Sequence, residues 1–321
     1  MARVSKDVSG GSGTIWNILR DAAARLLRMR ADMMDIPSRR IEQPGTGSPE
    51  RIQWVECGGR PFSLTLPAGE PLLEAVRSGF AAEGFGSGVV KLDGLKLSPF
   101  AYVMPALSKT PEHAAFYSET FRPEGGARIE LGAMTFGERD GAPFFHAHAL
   151  WTEGDGKRSG GHILPDETTV AETITLQAVG LDGAIYTAEP DGETNFKLFG
   201  PKPAAPSKAA QEGRFFALRV KPNVDFCGVL EAFGAEHGIR EAVIHGGVGS
   251  TIGARFVDGG VVENFATEVA ITEGRIVAGA GGLEATIDVA LVDYSGALAS
   301  GRLKRGDNPV LMTFELVLEA R

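Results

Sequence analysis

The residues best suited to chemistry form a histidine pattern near the middle of the chain. Residues 144–151 read Phe-Phe-His-Ala-His-Ala-Leu-Trp, which is typical of a strand, so His146 and His148 project from the same face. His162 ends a Gly-Gly-His stretch that follows a turn built on residues 154–156, and this turn predicts a second strand folding back beside the first. Three imidazoles converging on one sheet face predict a site for a divalent cation, zinc above all, with an open fourth position for water or substrate.

A carboxylate further along the chain could complete this site. Glu172 comes two residues after Val170 on the next predicted strand, where it could act as a further ligand or as a general base. The alternative is that the histidines line a solvated polar face beside a carboxylate and hold no ion. A His-x-His pair alone is a weak signal, so the spacing leaves both interpretations open.

An internal repeat indicates which elements position these residues. At a constant offset of 154, the opening Arg60-Pro-Phe-Ser-Leu-Thr-Leu matches Arg214-Phe-Phe-Ala-Leu-Arg-Val, and this register continues to Val89 and Val243. From Gly161 onward the offset is 140, which places a 14-residue insertion in the first copy, around residues 108–122. The domains predicted from the repeat are an N-terminal extension (1–57), a first copy with the histidines (58–184), a linker (185–212) and a degenerate second copy (213–321).

Each copy reads as one helix followed by several strands. In the first copy an alternating strand leads to a helix that starts near Glu70-Pro71 and stops at Gly84; the second copy has a helix ending at Gly238. Strands are predicted at 88–92, 128–136, 143–152 and 169–180. This order predicts an α+β class, with two copies of a mainly antiparallel sheet, each covered by one helix, plus an N-terminal helical extension.

The second copy lacks the histidine pattern. The positions that correspond to His146, His148, His162 and Glu172 are Thr286, Asp288, Arg302 and Met312. The second copy has instead a glycine stretch after a strand, His245-Gly-Gly-Val-Gly-Ser-Thr, whose amides at Gly247, Gly249 and Ser250 could hold an anion or substrate. The alternative is a tight turn. No helix opens after it, so it is not a dinucleotide-binding fingerprint.

Composition and charge exclude several classes of protein. The chain has 321 residues, 43% of them hydrophobic and 23% charged, which excludes a mostly disordered protein. The net charge is −9, and because residues 1–50 carry +2, the rest carries −11, which does not favour binding to duplex DNA. Two cysteines, Cys57 and Cys227, are too few for a disulfide framework and predict small packing residues in a cytoplasmic protein. No run approaches 18 apolar residues, so no membrane span is predicted.

The N-terminal extension predicts a basic amphipathic helix over residues 15–36. Apolar residues recur at steps of three and four with arginines between them, and the Pro-, Gly- and Ser-rich residues 37–50 then read as a flexible linker. Such a helix could lie on a membrane surface or bind a partner. It could instead pack on its own protein, or belong to an untranslated extension with Met33 or Met34 as the true start.

These motifs together resemble the plant and prokaryote conserved (PPC) domain. The strand-helix-strand opening, the Gly-Val-Gly-Ser stretch, the His-x-His strand, the Gly-Gly-His turn and the final Val-x-Glu are similar to that family, and its prokaryotic branch has the histidine pattern. The resemblance covers about 235 residues as a tandem pair. It implies an α+β fold, assembly as a homotrimer, and a metal bound by His146, His148 and His162. In a trimer, the glycine stretch of the second copy could complete the first copy's site across an interface.

The family name also implies DNA binding, because plant members pair the domain with an AT-hook. The closest stretch in this sequence, Gly58-Gly-Arg60-Pro61, lacks the first arginine of the hook and lies on a predicted strand. Three functions therefore stay open: a metal-dependent hydrolase or lyase acting on a small anionic molecule with Glu172 as proton shuttle, a DNA-binding regulator with a structural metal, and a scaffold that binds a small molecule without turnover.

Overall fold

The computed structural model describes residues 39–206 and 213–321, and all of them belong to one unit of the chain. The predicted N-terminal helix over 15–36 lies outside the described residues. Residues 39–206, the first part of the chain, form one α-helix, α1 (Leu72–Ala82), a short 3-10 turn (Pro165–Glu167) and twelve strands. These strands are β1 (Ile52–Leu66), β2 (Gly88–Lys91), β3 (Lys96–Leu97), β4 (Tyr102–Val103), β5 (Pro105–Leu107), β6 (Ala115–Tyr117), β7 (Ala127–Arg139), β8 (Ala142–Glu153), β9 (Arg158–Ile163), β10 (Ile174–Asp182), β11 (Ala184–Pro190) and β12 (Lys197–Pro203).

The second part of the chain repeats this order of elements with fewer strands. It contains one helix, α2 (Phe226–Glu236), and six strands. These are β13 (Arg214–Val220), β14 (Glu241–Arg255), β15 (Val261–Gly279), β16 (Gly282–Asp293), β17 (Leu298–Arg302) and β18 (Val310–Ala320). The mainly antiparallel sheet with few helices confirms the predicted α+β class in its coarse form.

One continuous sheet runs through both parts. Its strand order is β17-β16-β15-β14-β18-β13-β1-β10-β2-β7-β8-β9-β4, and neighbouring strands along it are antiparallel. Strand β1 joins the two parts, because residues 52–57 pair with β13 whereas residues 58–66 pair with β10. Since Arg60 and Pro61 lie inside the second pairing, the stretch closest to an AT-hook is part of the sheet.

Strand pairs recur at the offsets that the sequence repeat predicts. Equivalent residues face each other in both parts, at the 154 offset on the first strands and at the 140 offset on the later ones. The pairs are Leu64–Leu176 and Leu218–Leu316, Val89–Thr135 and Val243–Arg275, and His148–His162 and Asp288–Arg302. The same pairing register fixes the insertion of the first part between β2 and β7, where β5 and β6 form a separate two-stranded sheet.

Each part has its own hydrophobic core under its helix. Phe80 of α1 packs edge-on against Phe62 of β1, and Phe226 of α2 stacks on Phe314 of β18 with ring centroids 4.0 Å apart. Both helices end before a glycine with positive φ, Gly84 and Gly238, as the sequence predicts. The two cores follow from the apolar spacing of the helices and the alternation of the strands.

The faces of the two parts also pack against each other. Small apolar side chains of β7 and β8 meet those of β14, β15 and β16 in two clusters. These clusters are Ala133 with Val248 and Ala270, and Leu150 with Ala290 and Val292. The histidine face of β8 therefore lies against the second part of the chain.

Two strands, β11 and β12, lie mostly within the segment predicted as a linker (185–212), whose residues 207–212 are outside the described part of the chain. Strands β11 and β12 form an antiparallel hairpin, and β11 also pairs in parallel with β7. Pro201 and Pro203 suggested a linker, but they lie on β12, which among the described strands pairs with β11 alone, and an edge strand tolerates residues that donate no backbone hydrogen bond. Buried Tyr186 anchors the hairpin, because its hydroxyl donates to the Leu316 carbonyl at 2.5 Å. The domain boundaries themselves stay a prediction.

Residues 39–50, predicted as a flexible linker, are held on the second part of the chain. They form no helix or strand, but the amide of Gly45 bonds to the carbonyl of Glu193 at 2.9 Å, and other polar groups bond to residues after 220. The amide of Ile41 donates to Asn223 at 2.9 Å, and the Gln43 side chain donates to the carbonyl of Leu311 at 2.7 Å. Arg39 also donates to the carbonyls of Ile252 and Asp307. No helix of the described residues is long and apolar enough to span a membrane.

The cap of α2 gives a prediction about stability. Asp225 accepts hydrogen bonds from the amides of Gly228 (2.7 Å), Gly306 (3.1 Å) and Asn308 (2.8 Å), so it ties the helix start to the turn before β18. Asp225→Ala is expected to lower the free energy of unfolding by about 2 kcal/mol, measured by urea denaturation, because three backbone amides lose their acceptor, one of them the buried amide of Asn308. Asp225→Asn keeps one carbonyl acceptor and should cost less; an equal loss in both variants would contradict this explanation.

Candidate metal centre

The sheet brings the three predicted histidines together. His146 and His148 project from one face of β8, and His162 lies directly opposite His148 on β9. The ring centroids are 4.5 Å apart for His146 and His148, 5.0 Å for His146 and His162, and 5.4 Å for His148 and His162. Alternation along β8 and the antiparallel pairing with β9 are enough to produce this convergence.

A carboxylate from the second part of the chain completes the cluster. Glu268 of β15 contacts Nε2 of His148, and one ligand atom from each of His146, His148, His162 and Glu268 lies within 4.8 Å of the others. The side chain of Glu268 is only 11% exposed. The sequence analysis missed this residue, since nothing in the sequence pairs it with histidines more than a hundred positions away.

Two hydrogen bonds orient the imidazoles. Nδ1 of His148 lies 3.1 Å from the carbonyl of Val269, so it carries the hydrogen and donates to that oxygen. Nδ1 of His146 lies 3.1 Å from Oε2 of Glu315, a fully buried carboxylate of β18 that the sequence analysis also missed. With both Nδ1 atoms engaged, the two Nε2 atoms face each other at 2.9 Å. A carboxylate or carbonyl behind each imidazole is the usual outer support of a metal ligand.

The cluster meets a test of fit for a cation. Nδ1 of His162 and Oε1 of Glu315 are buried and have no hydrogen-bond partner among the described residues. Buried polar atoms without partners are rare in folded proteins. Three imidazoles and one carboxylate form a donor set that suits zinc and similar divalent metals. The arrangement therefore fits a divalent cation better than a solvated polar face.

Charges around the cluster shift the pKa values of two histidines in opposite directions. Burial alone lowers the pKa of His146, but the carboxylates of Glu315 and Glu268 outweigh it and raise this pKa above the ordinary value of 6.5. Burial lowers the pKa of His162 well below that value, and His146 and His148 lower it further. Without a cation, His146 therefore gains a proton at a higher pH than His162 does.

Metal binding is expected to weaken as the pH falls through the raised pKa of His146. A cation must displace the proton from that imidazole, so the affinity should fall by about tenfold per pH unit below that pKa. Glu315→Gln removes the main charge that raises the pKa of His146, so the pH at which this variant begins to lose metal affinity should be lower. Above that pH, the metal affinity of the variant should be reduced by roughly 10- to 100-fold, because the His146 ring loses its supporting carboxylate. Titration with a competing zinc indicator at several pH values measures the pH midpoint and the metal affinity. An unchanged midpoint in Glu315→Gln would contradict the assignment of Glu315 as the main charge that raises the pKa of His146.

Glu172 does not belong to this centre, which corrects the prediction that it serves as ligand or general base. Its side chain is 64% exposed and pairs with Nζ of Lys96 at 2.7 Å. The strand predicted over 169–180 begins only at Ile174, and the residues before it pass along β3, where the amide of Ala171 bonds to the carbonyl of Lys96. Glu172 therefore faces a separate surface groove. The carboxylate at the histidines is Glu268.

The glycine stretch forms no loop, which corrects the predicted anion cradle. Residues 245–251 lie inside β14, paired with both β15 and β18. A Cβ atom at Gly247 would lie 2.1 Å from the carbonyl oxygen of Glu315, and one at Gly249 would lie 2.3 Å from that of Thr313, so the glycines permit close strand packing. Gly249 and Ser250 nevertheless line a pocket at the histidines, whereas Gly247 does not.

This pocket connects the cluster with the surface. It is partly open to solvent and reaches His146, His148 and Glu268. The insertion of the first part forms one side through β5 and β6, and the turn between β11 and β12 adds Phe196. Burial raises the pKa of Tyr117 on β6, and the nearby Glu268 and Glu315 raise it further, so its phenol stays protonated.

The fold and the cluster define an α+β protein with a candidate metal centre. A family model also matches part of the chain. Residues 207–320 match the family model of the Plants and Prokaryotes Conserved (PCC) domain. The family predicted from the sequence is thereby confirmed. The match covers the part without the histidines, which the sequence analysis considered the more degenerate copy. None of the curated proteins matches this chain.

Several solved structures are similar to parts of the chain. A metal-containing protein from Archaeoglobus fulgidus is 18% identical over 44% of this chain and 94% of its own, with a TM-score of 0.35. A PPC protein from Pyrococcus horikoshii is 19% identical over 45% of this chain and 95% of its own, with a TM-score of 0.35. A protein from Ralstonia eutropha, named as a candidate DNA-binding protein, is 18% identical over 43% of this chain and 89% of its own, with a TM-score of 0.33.

Proposed function

We propose that this protein is a tandem PCC-domain protein that binds one divalent cation, zinc by its donor set, between two domain copies. The observation that carries this proposal is the convergence of three imidazoles and the Glu268 carboxylate within 4.8 Å at the end of a pocket. The recurrence of strand pairs at the two sequence offsets supports the two copies. The second copy has no histidine at the matching positions, so one chain would hold one such site.

The pocket supports an enzyme that performs metal-assisted hydrolysis or lyase chemistry on a small molecule. A divalent cation in this place would supply Lewis-acid polarisation of a substrate oxygen. Glu268 would hold this cation together with the three imidazoles, which is the ligand role that the sequence analysis gave as one option for Glu172. Glu315 would hold the His146 ring in place through Nδ1. The pocket walls would limit access of bulk water to the reacting group.

The proposal is tested on protein purified without an affinity metal. Elemental analysis should find about one zinc or similar ion per chain, since four donors of one cluster hold a single cation. The protein, with and without added zinc, is then assayed against a panel of small esters, amides and hydroxy acids. Glu268→Gln should lower both the metal affinity and the turnover, because it replaces a carboxylate ligand with a neutral amide. Protein that takes up no metal on reconstitution would refute the metal centre, and metal uptake without turnover would favour the scaffold function.

A DNA-binding role receives no support from the described residues. Arg60, the arginine of the hook-like stretch, pairs with Glu83 at 2.6 Å, and several other surface arginines also pair with carboxylates. Binding to duplex DNA that weakens steeply with salt would be the result that favours this alternative.

The proposal also covers the oligomeric state of the protein and its location in the cell. We keep the homotrimer, which the family resemblance implies, with a mass measurement in solution as its test. In a single chain Gly249, Ser250 and Glu268 already lie at the histidines, so the site needs no neighbouring chain for these groups. A cytoplasmic location is supported by two free cysteines. Burial raises the pKa of Cys57 to about 12 and that of Cys227 well above its ordinary value, as expected for thiols that only pack.

A further inference from the structure

We infer that the pocket at the histidines selects a small, unphosphorylated carbonyl or carboxyl compound that has a flat apolar body. This inference rests on the proposed function, because it takes the metal cluster as the end of the pocket where the substrate oxygen lies. It goes further by stating which molecules the walls of the pocket accept and which they reject.

The charge of the pocket argues against phosphorylated ligands. None of the described residues that line it is a lysine or an arginine, and its ionisable side chains are His146, His148, Tyr117 and Glu268. Two carboxylates, Glu268 in the cluster and Glu315 behind His146, are enough to neutralise a divalent cation. A phosphate dianion would therefore enter a partly buried site without a compensating charge, which is costly. A neutral carbonyl or a single carboxylate has a much smaller cost.

Two hydroxyl groups on the wall can donate to such an oxygen. Oγ of Ser250 accepts the amide hydrogen of Met312 at 3.1 Å, and Oγ1 of Thr313 accepts Nε–H of Arg219 at 3.3 Å. Neither hydroxyl hydrogen has an acceptor among the described residues, although both side chains are nearly buried. A hydroxyl whose oxygen already accepts is left to act as a donor toward the pocket. Both therefore favour a ligand with an oxygen acceptor.

The opposite wall is aromatic. Phe116 and Phe196 lie with ring centroids 5.8 Å apart, and Tyr117 packs edge-on against Phe196 at 5.9 Å. The insertion that carries Phe116 is tied to the turn that carries Phe196, because the Asn195 side chain donates to the carbonyl of Glu112 at 2.9 Å. Phe116 is 46% exposed, so part of its ring is free to cover a ligand. Such a wall suits a planar apolar group, which packs well against ring faces and edges.

The test measures binding of three probes to the full-length, zinc-loaded protein by isothermal titration calorimetry. Benzoate has the flat apolar body and one carboxylate, acetate has the carboxylate alone, and inorganic phosphate has the excluded charge. Benzoate is expected to bind at least about tenfold more tightly than acetate, because it buries a ring against the aromatic wall. Phosphate is expected to bind more weakly than benzoate by a similar factor or more.

Variants assign the preference to particular walls. Phe116→Ala should weaken benzoate by about tenfold and leave acetate unchanged, whereas Ser250→Ala should weaken both carboxylates by several-fold. Leu107→Ala is the matched control, because Leu107 is 49% exposed on the same insertion but does not line the pocket. Each variant should keep the metal content of the unaltered protein, since none of these residues belongs to the cluster.

The outcomes separate this inference from the proposed function. If phosphate binds most tightly, or benzoate binds no better than acetate, while the metal is retained, the ligand class is wrong and the metal centre stands. If the chain takes up no metal, the proposed function fails. The benzoate and acetate titrations of that metal-free chain then decide the inference by themselves. A preference for benzoate over acetate that Phe116→Ala removes supports the aromatic wall. The absence of such a preference overturns the inference.

Discussion

His148→Ala is expected to abolish metal binding, from about one ion per chain to none, because His148 occupies the centre of the cluster. It contacts Glu268, faces Nε2 of His146 at 2.9 Å and lies opposite His162. Its Nδ1 is held by the carbonyl of Val269, so the ring cannot easily turn away. Elemental analysis after dialysis against metal-free buffer measures the loss. The double variant His146→Ala/His162→Ala should give the same result, since it leaves one imidazole.

His245→Ala is the matched control for this experiment. His245 also lies on a strand, is mostly buried and bonds a carboxylate, Oε2 of Glu319, at 2.7 Å. It is not part of the cluster, so its variant should retain the full metal content. Loss of metal in both variants, or retention in His148→Ala, would contradict the assignment of the centre. Thermal unfolding of each variant shows whether a loss of metal reflects a loss of fold.

Metal removal is expected to destabilise the whole described unit. The ligands come from β8, β9 and β15, so a bound cation would join strands of both parts of the chain. A ligand at a thousandfold excess over its Kd stabilises the folded state by about 4 kcal/mol, which for a chain of this size raises Tm by roughly 6 °C. Calorimetry with added zinc and with a chelator measures this difference.

Glu268→Ala tests whether the stabilisation depends on the second part of the chain. The variant keeps the three histidines but loses the carboxylate from β15, so zinc should raise its Tm by much less than it raises that of the unaltered protein. A full zinc response in Glu268→Ala would show that the cation is held by the first part alone. His245→Ala again serves as control and should respond fully.

Local patterns in the sequence were enough to predict the helices and the histidine cluster. Helix ends follow from apolar spacing and from Gly84 and Gly238, which adopt positive φ where the helices stop. His146 and His148 share a face because they are two residues apart on a strand, and the turn after Glu153 brings His162 back beside them. In these cases the deciding interactions lie within about twenty residues of each other.

The carboxylates of the site could not be predicted in this way. Glu268 and Glu315 reach the histidines only because β7 and β8 pack face to face on β14 and β15, a contact that no local pattern encodes. Glu172 is close to the histidines in the chain, and the sequence analysis took that nearness as proximity in space. Its backbone follows β3 instead, so its side chain pairs with Lys96. Similarly, prolines that suggested a linker turned out to lie on an edge strand.

The placement of Glu268 on the same polypeptide as the histidines has a consequence for how the centre responds to dilution. Groups tethered in one folded chain meet at an effective concentration set by the fold rather than by the amount of protein. The affinity for a cation should therefore be the same at nanomolar and at micromolar protein. A centre assembled from separate chains would lose its carboxylate as those chains dissociate, whereas this one keeps its four ligands together at any concentration at which the chain is folded.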